Sequence, residues 1–180
     1  VASTKAFLAQ ITAAYLLGLY LAQLRGNKYK DEISAILGEL QKMPAKIQKV
    51  IDNDTLVKEL GAEMKDTSSV IFLGRHVGFP VALEGALKLK EISYIHAEGF
   101  AAGELKHGPI ALIEEGQPVI IIVPSAQGRE SLHGKVVSNI QEVRARGAFT
   151  IVIAEEGDEA VKDYADRLIT VPAAPSLLQP

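Results

Sequence analysis

Residues 83–109 read LEGALKLKEISYIHAEGFAAGELKHGP. This stretch begins as a helix that is apolar around most of its girth, and Glu84, Lys88 and Glu91 interrupt it. Spacings of four and three residues place these charges on one stripe of a helix. Charges that leave water need partners or a chemical role. We therefore expect this helix to form one wall of a functional site.

Four short apolar runs predict a parallel sheet. They lie at 70–73, 119–123, 149–153 and, more weakly, 168–171. Because apolar and polar residues do not alternate in them, they indicate strands that are covered on both faces. Helices are predicted between them at 79–93, 129–146 and 158–165. Strand–helix alternation with short connections predicts an α/β fold, with a parallel sheet flanked by helices.

Three further helices are predicted ahead of the sheet, at 6–24, 31–52 and 55–64. Ser3 or Thr4 is expected to cap the first helix, and a helix N-terminus beside hydroxyls also suits an anion such as phosphate. Pro44 should kink the second helix or split it in two. The polar residues 65–69 are expected to separate a helical part, 1–65, from a sheet-forming part, 66–180.

The composition limits the functional classes. A net charge of -3 gives no electrostatic case for nucleic-acid binding. With no cysteine, the chain has no disulfide, no thiolate metal site and no thiol nucleophile, which suits a cytosolic protein. Residue 1 is Val and a new apolar run begins near residue 177, so we expect a piece of a longer polypeptide.

Residues 6–24 carry no charge, so a membrane span has to be considered. Polar side chains are spread along the run, which argues against a span. They are Gln10, Thr12, Tyr15, Tyr20 and Gln23. We therefore expect a helix that is buried between domains or subunits.

Glu91 is a candidate general base. Partial burial would raise the pKa of its carboxyl group from about 4.3 toward neutrality, which suits proton transfer between adjacent carbons. Lys88, one turn earlier, would stabilise the negative charge that develops. The alternative is an ion-pair ladder of Glu84, Lys88 and Glu91 without catalytic meaning. The spacing alone favours the ladder, and the apolar remainder of the helix favours the site.

His107 lies in a turn with the sequence GELKHGP, and fixed, irregular loops often carry catalytic residues. A histidine titrates near neutral pH and suits acid–base transfer, although a loop histidine bonded to backbone explains the pattern equally well. The loop GRHVG at 74–78 follows a strand, where an anion could be cradled. A simple tight turn with solvated Arg75 and His76 is the alternative.

The remaining histidines receive no role. His96 with Glu98 is too little for a metal site, and no metal is expected. His133 is expected on an exposed helix.

The runs ALEGALKLKEISYIHAEGFAAGELKHGP and VRARG resemble the second sugar-isomerase (SIS) domain of the glutamine–fructose-6-phosphate aminotransferase family. The N-terminal VASTKAF resembles the segment that joins the two SIS domains of that family. The resemblance covers essentially the whole chain. It implies a flavodoxin-like SIS domain at 66–180, cut short at its C-terminus, with 1–65 as helices linking it to a first SIS domain absent from this sequence.

The resemblance also implies a function. Enzymes of this family convert fructose 6-phosphate and glutamine-derived ammonia into glucosamine 6-phosphate in the cytoplasm, as homodimers and without a metal or organic cofactor. Glu91 matches the family's proton-transfer glutamate, Lys88 its neighbouring lysine, and His107 a ring-opening histidine that reaches the partner subunit's site. Val1 and Ser3 match substrate contacts.

The family's glutaminase domain, first SIS domain and imine-forming lysine have no counterpart in this sequence. We therefore expect the chain alone to be inactive as a glutaminase and weak or dead as an isomerase. Two alternatives stay open. In the first, the chain is a non-catalytic SIS module that binds a sugar phosphate and controls a partner. In the second, it is a dimerisation half, whose long apolar helices serve assembly.

Overall fold

The computed structural model describes residues 3–126 and 130–179. The chain divides into two compact units, Val1–Ile47 and Gln48–Pro180. This division lies within a helix, upstream of the predicted boundary at residues 65–69. That boundary concerned the start of a second SIS domain and stays a prediction.

The first unit consists of α1, Thr4–Leu24, and most of α2, Lys30–Asp52. Ser3 occupies the predicted N-cap position, but its side chain makes no capping hydrogen bond. α1 ends as predicted, because Gly26 adopts φ +68° and the Asn27 N–H donates to the Ala22 carbonyl at 2.9 Å. α2 runs through Pro44, so the predicted split into two helices is wrong.

Within the described residues, α1 is the one helix long and apolar enough to cross a membrane, judged by length and composition alone. Several of its large apolar side chains are exposed in this chain: Leu16, Leu17, Tyr20, Leu21 and Leu24. The predicted cover of this helix by another domain or subunit stays a prediction.

The second unit contains α3, Thr55–Glu63, and a five-stranded parallel sheet. The strand order is β2-β1-β3-β4-β5. The strands are β1 Ser69–Gly74, β2 His96–Ala101, β3 Pro118–Ile122, β4 Phe149–Glu155 and β5 Arg167–Val171. The predicted α/β fold is confirmed, and β2 is the strand that the apolar runs did not predict.

Helices cover both faces of this sheet. α4, Gly78–Ser93, joins β1 to β2, and α5, Glu130–Arg144, joins β3 to β4. Ala82 and Ala86 of α4 are buried in one cluster with Phe72, while Val136 and Ile140 of α5 belong to a second core cluster. The helix predicted at 158–165 is a short 3₁₀ turn, Lys162–Tyr164.

The turn from β1 into α4 requires glycine at residue 74. A Cβ at Gly74 would lie 2.0 Å from the carbonyl oxygen of Gly78. The Gly78 N–H donates to the Arg75 carbonyl at 2.9 Å and the Phe79 N–H to the His76 carbonyl at 3.1 Å. The loop at 74–78 is therefore a tight turn, and anion binding by this loop stays a prediction.

Candidate functional site

The three charges of α4 lie on one stripe, as their spacing predicts. The Lys88 ammonium nitrogen is 2.6 Å from a Glu91 carboxylate oxygen and 3.7 Å from a Glu84 carboxylate oxygen. Glu84 and Lys88 are half-buried, whereas 41% of the Glu91 side chain is exposed. The three side chains thus form a row of ion pairs along α4, and Glu91 is the most exposed of them.

α4 is less buried than its sequence predicts. Its contact with the sheet runs through small residues such as Ala82 and Ala86. Leu83, Leu87 and Ile92 are exposed, so the apolar surface of this helix is only partly buried in this chain. The row of charges therefore borders an exposed apolar surface.

Lys88 governs the ionisation of Glu91. The hydrogen bond from Lys88 lowers the pKa of the Glu91 carboxyl group and outweighs its partial desolvation. The predicted rise of this pKa is therefore wrong. The same hydrogen bond raises the pKa of Lys88. At neutral pH Glu91 is thus a carboxylate, the form that accepts a proton, beside an ammonium group.

His107 ends a 3₁₀ helix, Ala102–His107, where the sequence predicted an irregular loop. Ala102 and Leu105 of this helix are buried in the core, while 71% of the His107 side chain is exposed. The His107 Nδ1 atom lies 2.8 Å from a Glu104 carboxylate oxygen. The Glu104 carboxylate is thus a hydrogen-bond partner of the His107 ring.

Glu91 and His107 lie near opposite ends of the strands. α4 runs from the carboxyl end of β1 back to the amino end of β2, so Glu91, near the end of α4, lies by the amino ends of the strands. His107 follows the carboxyl end of β2. A six-residue strand spans about 20 Å at ~3.3 Å per residue. One chain therefore does not bring these two residues together.

Arg75 is not the solvated loop residue that the sequence allowed. Its Nε atom donates to the Asn139 side-chain oxygen of α5 at 3.1 Å. His76 is exposed and adopts φ +52°. Arg75 is therefore turned toward α5 and held by a side chain of that helix.

His133 is buried, with 6% of its surface exposed, so the prediction of an exposed position is wrong. Its Nε2 atom lies 2.6 Å from an Asp158 carboxylate oxygen. His133 follows β3 and Asp158 follows β4, which are neighbouring parallel strands. This adjacency is the signal that sequence reasoning missed.

The two N-terminal substrate contacts, Ser3 and Val1, stay predictions. Ser3 lies at the start of α1 in the first unit. Val1 lies outside the described residues. Within 3–126 and 130–179, no three His, Asp or Glu side chains are grouped so as to hold a metal ion.

Comparisons with known proteins identify the family of this chain. Residues 63–180 match the family described as SIS domain. The whole chain is 76% identical to a Corynebacterium glutamicum protein and 62% identical to a Streptomyces coelicolor protein, both named glutamine–fructose-6-phosphate aminotransferase (isomerizing). The chain spans 29% of the length of each of these relatives.

A solved structure agrees with these matches. The C-terminal domain of glucosamine-fructose-6-phosphate aminotransferase from Francisella tularensis is 38% identical, with a TM-score of 0.89 over 98% of this chain and 49% of that one. The predicted family resemblance is confirmed by sequence and by structure. The chain belongs to the SIS domain family.

Proposed function

We propose that residues 1–180 are the isomerase part of a glutamine–fructose-6-phosphate aminotransferase. In this proposal the substrates of the whole enzyme are fructose 6-phosphate and glutamine-derived ammonia, and the product is glucosamine 6-phosphate. The names of relatives up to 76% identical over the whole chain support it. Because the chain spans only 29% of their length, the glutaminase and first SIS domains would be supplied by sequence outside these residues. The cytoplasm is the proposed location.

One observation carries the proposal: a carboxylate and an ammonium group are paired at 2.6 Å on an outward-facing stripe of α4. A base that shuttles a proton must be deprotonated at working pH, and Lys88 keeps Glu91 in that form. The exposed surface around the pair leaves room for substrate. A plain surface ladder would not need the exposed Leu83 and Leu87 beside it.

The proposed chemistry uses Glu91 as the base. A residue outside this chain condenses with the open-chain ketone at C2 to form an imine, and water leaves. Ammonia then displaces that residue, which leaves the imine of ammonia at C2. Glu91 removes a proton from C1, and the electron pair forms a C1–C2 double bond while the imine nitrogen takes up a proton and becomes an amine. C2 then takes up a proton as the C1 hydroxyl loses its own, which leaves an amine at C2 and an aldehyde at C1. Lys88 stabilises the negative charge that develops on oxygen.

His107 has a separate role in this proposal. It opens the sugar ring by acid–base transfer, in a site that takes Glu91 from the other copy of a homodimer. The positions of the two residues, near opposite ends of the strands, support a site built from two copies. Ser3, beside the start of α1, and Val1 would contact the substrate. In this proposal no metal or organic cofactor takes part, because the carbonyl carbon of the sugar, converted to the imine, is itself the electron sink.

The first prediction tests Glu91 in a full-length context. The host enzyme is the Corynebacterium glutamicum relative with residues 1–180 of this chain in place of its matching segment. Because Glu91→Gln removes the base but keeps the shape, we expect kcat for glucosamine 6-phosphate formation to fall about 10²- to 10⁴-fold. Steady-state kinetics with fructose 6-phosphate measure this.

Asp66→Asn is the matched control, because Asp66 is an exposed carboxylate ahead of β1 and distant in sequence from α4. It should leave kcat within about twofold, as exposed surface substitutions usually do. Turnover of Glu91→Gln at the level of this control would remove Glu91 from the mechanism.

The second candidate is a non-catalytic SIS module that binds a sugar phosphate and controls a partner. The ladder geometry of Glu84, Lys88 and Glu91 favours it, since the Lys88 ammonium group contacts both carboxylates. In that case fructose 6-phosphate would raise the melting temperature of the host enzyme. It would do so equally with Glu91→Gln, and the substitution would leave turnover unchanged.

A further inference from the structure

The segment that carries His107 has few constraints of its own. It is a six-residue 3₁₀ helix, Ala102–His107, which the buried side chains of Ala102 and Leu105 attach to the core. Short 3₁₀ helices have poorer hydrogen-bond geometry than α-helices. The direction of the exposed His107 side chain therefore depends on its contact with Glu104 at 2.8 Å and on the surface against which this segment is held.

A first polar link attaches the segment to α5. The Lys106 ammonium nitrogen lies 2.9 Å from a Glu142 carboxylate oxygen. The Glu142 side chain is half-buried, so salt screens this pair less than it would a fully exposed one. Since Lys106 is the neighbour of His107 in the chain, this link restrains the backbone at the histidine.

A second link comes from the loop after β1. A Cβ at Gly103 would lie 3.2 Å from the Arg75 Nη2 atom, so the guanidinium group lies directly against the start of the segment. Asn139, which is only 5% exposed, accepts a hydrogen bond from the Arg75 Nε atom at 3.1 Å. Arg75 is thus fixed on α5 while it contacts the segment.

The two links meet on one helix. The Asn139 side-chain nitrogen donates to the second Glu142 carboxylate oxygen at 3.4 Å. Glu142 therefore interacts with Lys106 on one side and with Asn139 on the other, and Asn139 holds Arg75. We call these four residues, Arg75, Lys106, Asn139 and Glu142, the α5 clamp.

We propose that the α5 clamp positions His107 for its reaction, so that Arg75, Asn139 and Glu142 are positioning residues. This inference rests on the proposed ring-opening role of His107. None of the three acts on the substrate. They hold the 3₁₀ helix at a fixed place on α5, and a catalytic group displaced by about 1 Å can lose 10²-fold in rate.

The chemistry offers a test that separates positioning from general stability. Ring opening of fructose 6-phosphate breaks the C2–O5 bond, removes the proton of the C2 hydroxyl and delivers a proton to O5. 5-Deoxyfructose 6-phosphate lacks O5 and stays open-chain, so it needs no ring opening. Loss of His107 positioning should therefore slow the first substrate and spare the second.

The experiment measures kcat/KM of the host enzyme for both substrates. Asn139→Ala and Glu142→Gln should each lower kcat/KM for fructose 6-phosphate about 10- to 100-fold. Both should stay within about twofold of the unsubstituted host enzyme on the 5-deoxy compound. Gln141→Ala, at an exposed position of the same helix, is the control and should change neither value. Glu142→Gln is the milder variant should Asn139→Ala unfold.

His107→Asn is measured in parallel to keep two failures apart. If it spares the 5-deoxy compound but the clamp variants slow both substrates equally, or neither, the clamp inference alone is overturned. If His107→Asn slows neither substrate selectively, the ring-opening role itself fails and the clamp inference fails with it.

Discussion

Lys88 determines how Glu91 can act, because the two side chains are 2.6 Å apart. The carboxyl pKa that Lys88 lowers makes Glu91 a weaker base but keeps it deprotonated over a wider pH range. The pair also links stability to pH. Its contribution is present above the ordinary glutamate pKa of about 4.3 and is lost as the pH falls through the lowered value.

Removing the ammonium group should therefore move the acid limb of activity. With Lys88→Met in the host enzyme, the hydrogen bond that lowers the pKa of Glu91 is absent and partial desolvation raises that pKa instead. The acid limb of the kcat/KM profile should shift to higher pH. Lys90→Met, an exposed position on the same helix, should leave the limb in place. Identical limbs for both variants would mean that another group titrates.

The buried pair of His133 and Asp158 predicts a stability effect at a position that we expected to be exposed. His133→Ala leaves one oxygen of the nearly buried Asp158 carboxylate without its histidine partner, while the other still accepts from the Ala160 N–H. The free energy of unfolding should fall by about 1–3 kcal/mol. His96→Ala, at an exposed position of β2, should cost no more than about 0.5 kcal/mol. Urea unfolding of the 180-residue chain compares the two, and equal costs would contradict the prediction.

Individual contacts of this kind could not be predicted from the sequence. The spacing of Glu84, Lys88 and Glu91 encodes their stripe, because a helix fixes which neighbours meet. Arg75 and Asn139 are 64 residues apart, and His133 and Asp158 are 25 apart. Their meeting depends on strand order, and no local pattern carries it. The sequence therefore predicted contacts within one helix, and it did not predict contacts between distant segments.

The inner strands of the sheet differ in sequence from the edge strand β2. β1, β3 and β4 are buried runs of branched side chains, and their sequences predicted them. β2 reads HAEGFA and lies at the edge of the sheet, paired with β1 alone. An edge strand needs less apolar sequence, so the pairing with β1 rather than its composition makes it a strand.

Alanine should have opposite effects on stability at Gly74, in the turn between β1 and α4, and at Gly61, in α3. Gly74→Ala would place a methyl group 2.0 Å from a backbone oxygen, so the turn must move. We expect a loss of about 2–4 kcal/mol. Gly61→Ala in α3 meets nothing within 4 Å, and it should gain about 0.4–1 kcal/mol by restricting the unfolded chain. Urea unfolding that gave both the same sign would contradict this account of the turn.

In a single chain, the parallel sheet separates Glu91 from His107, the two residues that the proposed reaction needs in one site. Parallel β1 and β2 force α4 to return to the amino ends of the strands, which carries Glu91 away from the segment after β2. In a dimer with two-fold symmetry each copy can give one residue to each of two sites. Each of the two sites would then combine Glu91 from one copy with His107 from the other.

Mixing subunits tests this arrangement directly. Host enzyme with Glu91→Gln and host enzyme with His107→Asn should each be nearly inactive. After the two are unfolded and refolded together, random pairing makes half of the dimers mixed. Each mixed dimer has one site with both residues intact, so activity should recover to about a quarter of the unsubstituted level. If Glu91 and His107 of the same chain served one site, every site would carry a defect, and refolding together would restore nothing.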